Sequence, residues 1–285
     1  MKKTVAIQGI AGAYHETAAR MFFKEKGEDD IDILPCNQFK DVIAAVKKDP
    51  HVIGIMAIEN TIAGSLLQNH ELIRESDLTV IGEQKLRISL SLAALPGESI
   101  ETITEVNSHP IALMQCADYL NTLHKVKIVE EEDTALSAKV IAENNLKGHA
   151  AICSKQAAEL YGLKVLEEGI ETNKRNFTRF LIVAQPELAE KMTKNEEKNK
   201  SSLVFTLPHE EGSLSSVLTI LSFYKNNLTK IQSMPVIGKE WEYQFYINLT
   251  FENYTRYRQS LDAIRPLVSD FKIMGEYKAF NTPNP

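Results

Sequence analysis

The sequence predicts an α/β protein that carries a second, smaller domain at its carboxyl end. Short apolar runs alternate with amphipathic segments up to residue 184, as strands and helices do around a mainly parallel sheet. From residue 201 the order becomes β-α-β-β-α-β, the split pattern of ferredoxin-like domains. A polar, lysine-rich stretch at 185–200 separates the two patterns and predicts a linker or the end of a solvated helix.

The elements of the first part follow from the spacing of the apolar residues. The predicted strands are residues 4–8, 32–36, 52–58, 78–95, 125–131, 149–153 and 180–184, and the predicted helices are 14–26, 39–49, 111–123, 134–145 and 154–162. Gly162 is expected to stop the last of these helices, because glycine readily adopts the left-handed conformation that ends a helix.

Composition and charge exclude several classes of protein. With 38 acidic and 32 basic residues the formal net charge is −6, and the chain lacks the basic stripe that a nucleic-acid-binding protein normally shows. No run approaches the roughly 18 apolar residues of a membrane helix. Gly9 and Gly12 interrupt the short apolar run near the amino terminus, so we expect neither a membrane span nor a signal peptide.

The cysteines and histidines form no disulfide or metal pattern. Cys36, Cys116 and Cys153 are odd in number and far apart, which indicates reduced thiols in a cytoplasmic protein. The histidines are scattered without zinc spacing, so no metal is expected. The turn GIAGAY (9–14) lacks the third glycine of a dinucleotide loop, which favours a tight turn whose helix start offers amides to an anion.

Polar side chains follow several predicted strands, where open α/β sheets bind their ligands. Glu59 and Asn60 come directly after strand 52–58, although Glu59 could equally cap the next helix. Ser108 is expected to be an N-cap, and Gln115 lies two helical turns further on, near the same face. Asp133 or Thr134 is expected to cap the helix that follows strand 125–131.

The stretch NFTRFLIVA (176–184) combines a buried strand with polar residues at its beginning. Asn176, Thr178 and Arg179 are not needed by a core strand. Arg179 could bind a carboxylate through two parallel hydrogen bonds, or it could form an ion pair with a neighbouring lobe.

Taken together, these segments resemble prephenate dehydratases that carry a carboxy-terminal ACT regulatory domain. The matching segments are GIAGAYHETAA, AIENTIAGS, NSHPIALMQC, AAICSKQAAELYGL and NFTRFLIV, in the family's order. The resemblance implies a catalytic domain at 1–185 with two lobes, like a periplasmic solute-binding protein, and an active site in the cleft between them. The implied boundaries are about 1–80 with 165–185 for lobe one, about 81–164 for lobe two, 186–200 for the linker and 201–283 for the ACT domain.

The resemblance also implies the roles of the site residues. Thr178 matches the family's essential threonine, followed by Arg179 and Phe180 of its Thr-Arg-Phe triplet. The implied catalytic residues are Thr178, Arg179, Asn60, Ser108, Gln115 and Glu59, and the implied substrate-binding residues are Gly12, Ala13, Tyr14, Thr61, Gly64, Ser65 and Phe180. The chain departs from the family at Ala13, usually a small hydroxyl residue, at His15, usually Ser or Thr, and at Ala57, usually Pro.

The family's reaction converts prephenate to phenylpyruvate on the route to phenylalanine. Because formation of the aromatic ring drives it, no cofactor is expected. Arogenate dehydratase, which acts on the amino analogue, is the nearest alternative. A non-catalytic small-molecule sensor is an alternative of a different class, and the pairing of Thr178 with Arg179 favours the enzyme.

The carboxyl-terminal unit resembles an ACT domain that senses phenylalanine at a subunit interface, which implies a homodimer or homotetramer. The implied effector-binding residues are Gly212, Ser213, Leu214, Gln232, Ser233, Met234 and Pro235. Gln232 and Met234 stand where the family often has an acid and an arginine, which removes two charges from the expected site. Phenylalanine inhibition is the prediction, and a dimerisation module with little response to the ligand is the alternative.

Overall fold

A computed structural model describes residues 2–236, 238 and 242–280 of the chain. The α/β fold class predicted from the sequence is confirmed. The elements of the first part are β1 (Lys3–Gln8), α1 (Tyr14–Glu25), β2 (Ile31–Cys36), α2 (Phe39–Lys48), β3 (Val52–Asn60), β4 (Gly64–Ser65), α3 (Leu67–Glu75), β5 (Thr79–Arg87), β6 (Ser91–Ala94), β7 (Glu105–Ser108), α4 (Pro110–Gln115), α5 (Ala117–Leu120), β8 (Lys127–Glu130), α6 (Thr134–Glu143), β9 (His149–Cys153), α7 (Lys155–Leu160), β10 (Lys164–Glu168), β11 (Phe177–Ala184) and α8 (Pro186–Thr193).

The chain divides into two compact units, each made of several segments. The first unit comprises Met1–Ala45, Gly54–Leu66 and Gln84–Phe180, and the second comprises Val46–Ile53, Leu67–Glu83 and Leu181–Pro285. The domain boundaries predicted from the sequence, at 185 and 201, remain a prediction, and the outer ends of that division, residue 1 and residues 281–283, lie outside the described residues.

The strands up to residue 184 form two sheets. In one sheet the strands pair in the order β2-β1-β3-β11-β5, and β4 pairs with the end of β3. In the other the order is β10-β6-β9-β7-β8, where β7 is parallel to both of its neighbours and β6 is antiparallel to both of its own. Strand β10 was not predicted, because its sequence, KVLEE, carries three charges in five residues.

Small side chains fill the core beneath the second sheet. Ala93, Ala138 and Ala151 are fully buried there. A Cβ atom added at Gly12 would lie 3.1 Å from Ala157 of helix α7, so only glycine allows this close approach. The first glycine-rich turn therefore serves packing as well as the start of helix α1.

The second unit contains the predicted β-α-β-β-α-β pattern, which is confirmed. Its elements are β12 (Lys200–Leu207), α9 (Ser213–Phe223), β13 (Asn227–Pro235), β14 (Tyr243–Thr250), α10 (Tyr254–Ile264) and β15 (Ser269–Tyr277). The strands pair antiparallel in the order β13-β14-β12-β15, the ferredoxin-like arrangement. The core between sheet and helices includes Phe205, Leu221 and Tyr257.

Helix α8 occupies the first half of the polar stretch at 185–200. Residues 186–193 are therefore helical, as in the second of the two alternatives given for this stretch. Across the ranges that the structure describes, no helix is long and apolar enough to cross a membrane.

Candidate active site

A cavity of about 380 Å³ lies in the first unit. This volume suits a small organic ligand. The carboxyl end of β3 meets the amino end of β11 at its wall, which carries Asn60, Thr178 and Phe180. The segments after β7 and β8 also line the cavity, and among the predicted residues they contribute Gln115. The structure thus brings Asn60, Gln115, Thr178, Phe180, Ala13 and Tyr14 together around one cavity.

Asn60 is the centre of the polar network at the cavity wall. Its side-chain oxygen accepts the backbone N–H groups of Ile62 (2.9 Å) and Ala63 (2.8 Å). Its side-chain nitrogen donates to Oγ1 of Thr178 at 3.0 Å and to the Phe177 carbonyl at 3.3 Å. Because the turn after β3 supplies both N–H groups, the chain itself orients this carboxamide towards Thr178.

Two further carboxamides adjoin Asn60. Its nitrogen also donates to Oδ1 of Asn176 at 2.8 Å, and the nitrogen of Asn176 donates to Oε1 of Gln115 at 2.8 Å. Gln115 in turn donates to Oδ1 of Asn60 at 3.4 Å. Asn176 is fully buried and does not line the cavity. The sequence drew attention to Asn176 by its place before Thr178, but did not reveal that it contacts Asn60 and Gln115.

Thr178 lines the cavity, and its hydroxyl already acts as a hydrogen-bond acceptor. Its oxygen accepts a hydrogen bond from Asn60, and an amide nitrogen of this kind cannot accept a proton in return. The hydroxyl proton must therefore point away from Asn60. A ligand in the cavity is placed to receive it.

Arg179 lies on the other face of β11, because successive strand residues point to opposite faces. It is 8% exposed and is not among the described residues that line the cavity. Its Nη1 is 3.9 Å from Oε2 of Glu59 on the neighbouring strand β3, so it forms an ion pair within its own sheet and not the predicted alternative of an ion pair with a neighbouring lobe. Glu59 also lies off the cavity wall. Arg179 and Glu59, both implied to be catalytic, thus form an ion pair, and neither is among the described residues that line the cavity.

The expectation that Ser108 caps helix α4 was wrong by one residue. Ser108 is the last residue of β7, fully buried, and its hydroxyl donates to the Ile152 carbonyl at 2.6 Å. The cap is His109, whose Nδ1 accepts the N–H of Ile111 at 3.2 Å. Ser108 does not line the cavity, whereas His109 does. Strand β7, which ends at Ser108, was not among the strands predicted from the sequence.

The start of helix α1 contributes to the cavity through Ala13, Tyr14 and His15. Tyr14 and His15 are the first helical residues after the Ala13 cap, so their N–H groups have no partner within the helix. The Tyr14 hydroxyl donates to the Ser89 carbonyl at 2.6 Å. Gly12 lies behind this turn, where its N–H donates to Glu16 at 2.8 Å, and does not line the cavity.

His15, one of the departures from the family pattern, lies between two aromatic rings. Its ring centroid is 5.0 Å from that of Phe180 and 5.4 Å from that of Phe39. Burial lowers the pKa of His15 to about 4, so the imidazole is neutral near pH 7. Its buried Nε2 has no hydrogen-bond partner among the described residues.

The remaining predicted binding residues shape the turn after β3 and do not line the cavity. The Thr61 hydroxyl donates to the Arg175 carbonyl and accepts the N–H of Phe177, both at 3.0 Å. Gly64 and Ser65 form the short strand β4, and Gly64 has a φ of +83° that favours glycine. These residues therefore hold the turn that carries Asn60.

The charges on the cavity wall are negative. Glu132 and Asp133 line it, and the described lining residues include no lysine or arginine. Asp133 is the cap of helix α6, as expected, and accepts the N–H groups of Ala135 (2.8 Å) and Leu136 (3.0 Å). The sequence had suggested only a capping role for it.

The predicted effector-binding residues lie at one end of the ferredoxin-like sheet. Gly212 has a φ of +81° and caps helix α9, and Ser213 donates to the Glu210 carbonyl at 2.9 Å. Pro235 pairs with Tyr243, which pairs with Leu207, so the end of β13 and the segment before α9 share that end of the sheet. Leu214 lies on α9, and Gln232, Ser233 and Met234 lie in the edge strand β13.

The fold and this cavity define an α/β protein with a cavity for a small molecule and a ferredoxin-like sheet in its carboxyl-terminal part. A sequence model of the prephenate dehydratase family matches residues 5–188. The chain is 34% identical to arogenate dehydratase/prephenate dehydratase 6 of Arabidopsis thaliana, over 98% of this chain and 70% of that protein. The chain therefore belongs to the prephenate dehydratase family.

Solved structures share the fold over nearly the whole chain. A protein described as GqqA, a novel type of quorum quenching acylase, superposes with a TM-score of 0.83 at 28% identity, over 98% of both chains. Prephenate dehydratase from Arthrobacter aurescens, in complex with L-Phe, gives a TM-score of 0.81 at 24% identity, over 96% of this chain and 89% of that chain.

Proposed function

We propose that the protein catalyses the decarboxylative dehydration of prephenate to phenylpyruvate. The observation that carries this proposal is Thr178, which lines the cavity and whose hydroxyl oxygen accepts a hydrogen bond from Asn60. A hydroxyl with a fixed acceptor role has its proton available for a leaving group.

The reaction breaks two bonds of the substrate. The bond from the ring to its carboxylate breaks and releases carbon dioxide, and its electron pair completes the aromatic ring. The ring hydroxyl leaves with the electron pair of its C–O bond as hydroxide, which becomes water when it gains a proton. Thr178 is a weak acid, so we assign it a hydrogen bond that strengthens as the C–O bond breaks rather than a full proton transfer.

Binding of the dianionic substrate requires local positive potential, because the whole chain has a net charge of −6. The first amides of α1, at Tyr14 and His15, supply it at the cavity wall, since a helix start carries about half a positive charge. We assign a substrate carboxylate to this helix start.

Arogenate is the second candidate substrate, and two observations favour it. The Arabidopsis relative described above is named for both activities. Glu132 and Asp133 also line the cavity, where they would attract the ammonium group that arogenate has in place of the keto group. The main proposal therefore includes a specificity for prephenate over arogenate that has to be measured separately.

Acyl transfer, the activity named for one structural neighbour, is less well supported by the site. An acyl-transfer nucleophile needs a neighbouring base, and the side-chain partner of the Thr178 hydroxyl is an amide donor that cannot take its proton. Burial also raises the pKa values of the Cys116 and Cys153 thiols to about 12, which makes both poor nucleophiles.

The test is a turnover assay with purified protein and each substrate in turn. Phenylpyruvate formed from prephenate is detected by its ultraviolet absorbance, and phenylalanine formed from arogenate is detected by amino-acid analysis. The two assays give the two kcat/KM values. A higher kcat/KM for prephenate supports the main proposal, and a higher value for arogenate supports the second candidate. Binding of either substrate without turnover would instead support the non-catalytic sensor.

We further propose that the ferredoxin-like unit is an ACT domain through which phenylalanine inhibits the enzyme. A structural neighbour was solved in complex with L-Phe, and the residues assigned to the effector lie at one end of the sheet. The charge-free Gln232 and Met234 would weaken this response. Activity measured with and without millimolar phenylalanine decides between regulation and a dimerisation module that does not respond.

Assembly and location are proposals of the same kind. β13 is an edge strand, and Ile231 on it and Phe223 at the end of α9 are 44% and 78% exposed, which favours a homodimer or homotetramer formed through this unit. Size-exclusion chromatography with light scattering tests this oligomeric state.

The free thiols of Cys36, Cys116 and Cys153 favour a cytoplasmic location, which fractionation of cells tests.

A further inference from the structure

The three carboxamides beside Thr178 form a closed ring of hydrogen bonds. Gln115 donates to Asn60 at 3.4 Å, Asn60 donates to Asn176 at 2.8 Å, and Asn176 donates to Gln115 at 2.8 Å. All three side chains are at most 9% exposed. Each amide is donor to one neighbour and acceptor from the other, so the ring has a direction.

The backbone determines that direction. The oxygen of Asn60 faces the N–H groups of Ile62 and Ala63, and its nitrogen faces the Phe177 carbonyl. A reversed Asn60 would set its NH₂ group against two N–H donors, leaving buried donors unpaired. The backbone therefore fixes the Asn60 oxygen and the order of donors and acceptors around the ring. The Asn60 nitrogen is held in addition by its acceptor on Asn176.

The ring limits which N–H group reaches Thr178. The Asn60 nitrogen has two hydrogens, and Asn176 accepts one of them at the shorter distance, 2.8 Å. The other is left for Thr178 at 3.0 Å and the Phe177 carbonyl at 3.3 Å. Asn176 thereby keeps Asn60 in the position from which it makes Thr178 an acceptor.

We propose that Asn176 is a positioning residue for the reaction, although it does not line the cavity. Through Asn60 it fixes the direction of the Thr178 proton, and through Gln115 it fixes a second amide that lines the cavity. This role rests on the proposed dehydratase function. Loss of Asn176 leaves Asn60 and Gln115 each without one partner, so the Thr178 hydroxyl loses its fixed direction while the cavity wall stays in place.

The test is a double-mutant cycle with Asn176→Ala and Thr178→Val, read as kcat and KM for the preferred substrate. We expect Asn176→Ala alone to lower kcat about 10- to 100-fold with KM changed less than about threefold, because an interaction that matters mainly in the transition state is weakened. In the Thr178→Val background the same change should lower kcat less than about twofold.

Asn226→Ala is the matched control. Asn226 is also a buried carboxamide, and its nitrogen donates to Ser260 at 2.8 Å in the second unit. Its loss should lower stability and leave kcat unchanged. If Asn176→Ala fails to fold, Asn176→Leu, which is similar in size but has neither the acceptor for Asn60 nor the donor for Gln115, takes its place, and the same coupling to Thr178 is expected.

Two results would overturn the role of Asn176 in an active enzyme. One is a kcat of Asn176→Ala or Asn176→Leu equal to that of the wild type. The other is an equal loss of kcat in the presence and absence of the Thr178 hydroxyl, which would mean that Asn176 acts independently of it. A wild type inactive on both prephenate and arogenate would overturn the proposed function itself, and this role with it.

Discussion

One buried polar network from each unit shows two kinds of polar burial. Around the cavity of the first unit the network is uncharged and consists of Asn60, Gln115 and Asn176. The second unit has uncharged buried pairs such as Asn226–Ser260, but it also buries an ion pair, in which Nζ of Lys200 lies 2.8 Å from Oε1 of Glu83 with side chains 6% and 1% exposed. The carboxamide network and the ion pair therefore serve different purposes.

The difference follows from what each kind of group does when buried. A carboxamide has no charge to desolvate and offers a donor and an acceptor in fixed positions, which suits the orientation of a hydroxyl. A buried ion pair holds its elements together only while both partners are present, since one partner alone is strongly destabilising. Changes in the first network should thus alter turnover, and changes in the second should alter stability.

The largest effect is expected from Lys200→Met. It removes the ammonium group that lies against the buried Glu83 carboxylate, so the free energy of unfolding should fall by about 3–5 kcal/mol. Urea denaturation measures it, with kcat of the folded protein unchanged. Lys155→Met is the control, because the Lys155–Glu168 pair is more than half exposed at both ends and its loss should cost less than about 1 kcal/mol. Equal losses for the two variants would remove the distinction between buried and exposed pairs.

Thr178→Ala is expected to have the next largest effect, on turnover. Loss of one positioned donor costs about 3–4 kcal/mol of transition-state stabilisation, so kcat should fall about 10²- to 10³-fold with little change in stability. Thr178→Ser should retain part of the rate, because it keeps a hydroxyl. Steady-state kinetics and urea denaturation of both variants provide the measurement. A near-normal kcat for the alanine variant would remove Thr178 from the reaction.

A smaller effect is expected from acid, through His15. Burial lowers the pKa of the folded state to about 4 from 6.5, so the unfolded chain binds the proton more readily and stability falls as the pH drops from about 6.5 towards 4. At pH 5 this amounts to about 2 kcal/mol relative to pH 7. His15→Gln, which does not titrate, should lose correspondingly less stability between these pH values in urea denaturation. Parallel pH profiles of the two proteins would contradict the prediction.

The smallest effect is expected from Tyr246→Phe. Burial would raise the pKa of Glu71, but hydrogen bonds from Arg74, Tyr246 and Gln244 outweigh it and lower the pKa to about 2. Loss of the Tyr246 hydroxyl should cost about 1 kcal/mol at pH 7, because Arg74 and Gln244 remain. The folded pKa is depressed, so this deficit should shrink as the pH falls from about 4.5 towards 2.

Tyr254→Phe is the control for Tyr246→Phe, because the Tyr254 hydroxyl donates to Glu276 at an exposed position. Urea denaturation should show a smaller deficit for it. A larger loss for Tyr254 than for Tyr246 would mean that burial does not set the strength of these bonds.

The sequence predicted the elements of the site better than the directions of its side chains. Thr178 and Asn60 were identified because polar residues at strand ends are costly without a function, and both line the cavity. Arg179 was assigned to the same site, although strand alternation turns it away from Thr178. The ring through Asn176 joins residues more than fifty positions apart in the chain, and no local pattern reports such contacts.

The same limit explains the errors at single residues. Ser108 and His109 both have side chains that can cap a helix, and which one does so depends on where β7 stops pairing with its neighbours. Strand β10 has little apolar periodicity and exists because it pairs with β6. Register between distant segments determines both outcomes.

The most direct test of the account is the turnover of Asn60→Asp. A carboxylate at this position keeps the acceptor for the Ile62 and Ala63 N–H groups, but its second oxygen would accept the Thr178 proton instead of donating to the Thr178 oxygen. With the proton turned away from the cavity, kcat for the preferred substrate should fall at least about 10²-fold in a folded protein. A kcat within about threefold of the wild type would show that the direction of the Thr178 proton does not matter for the reaction.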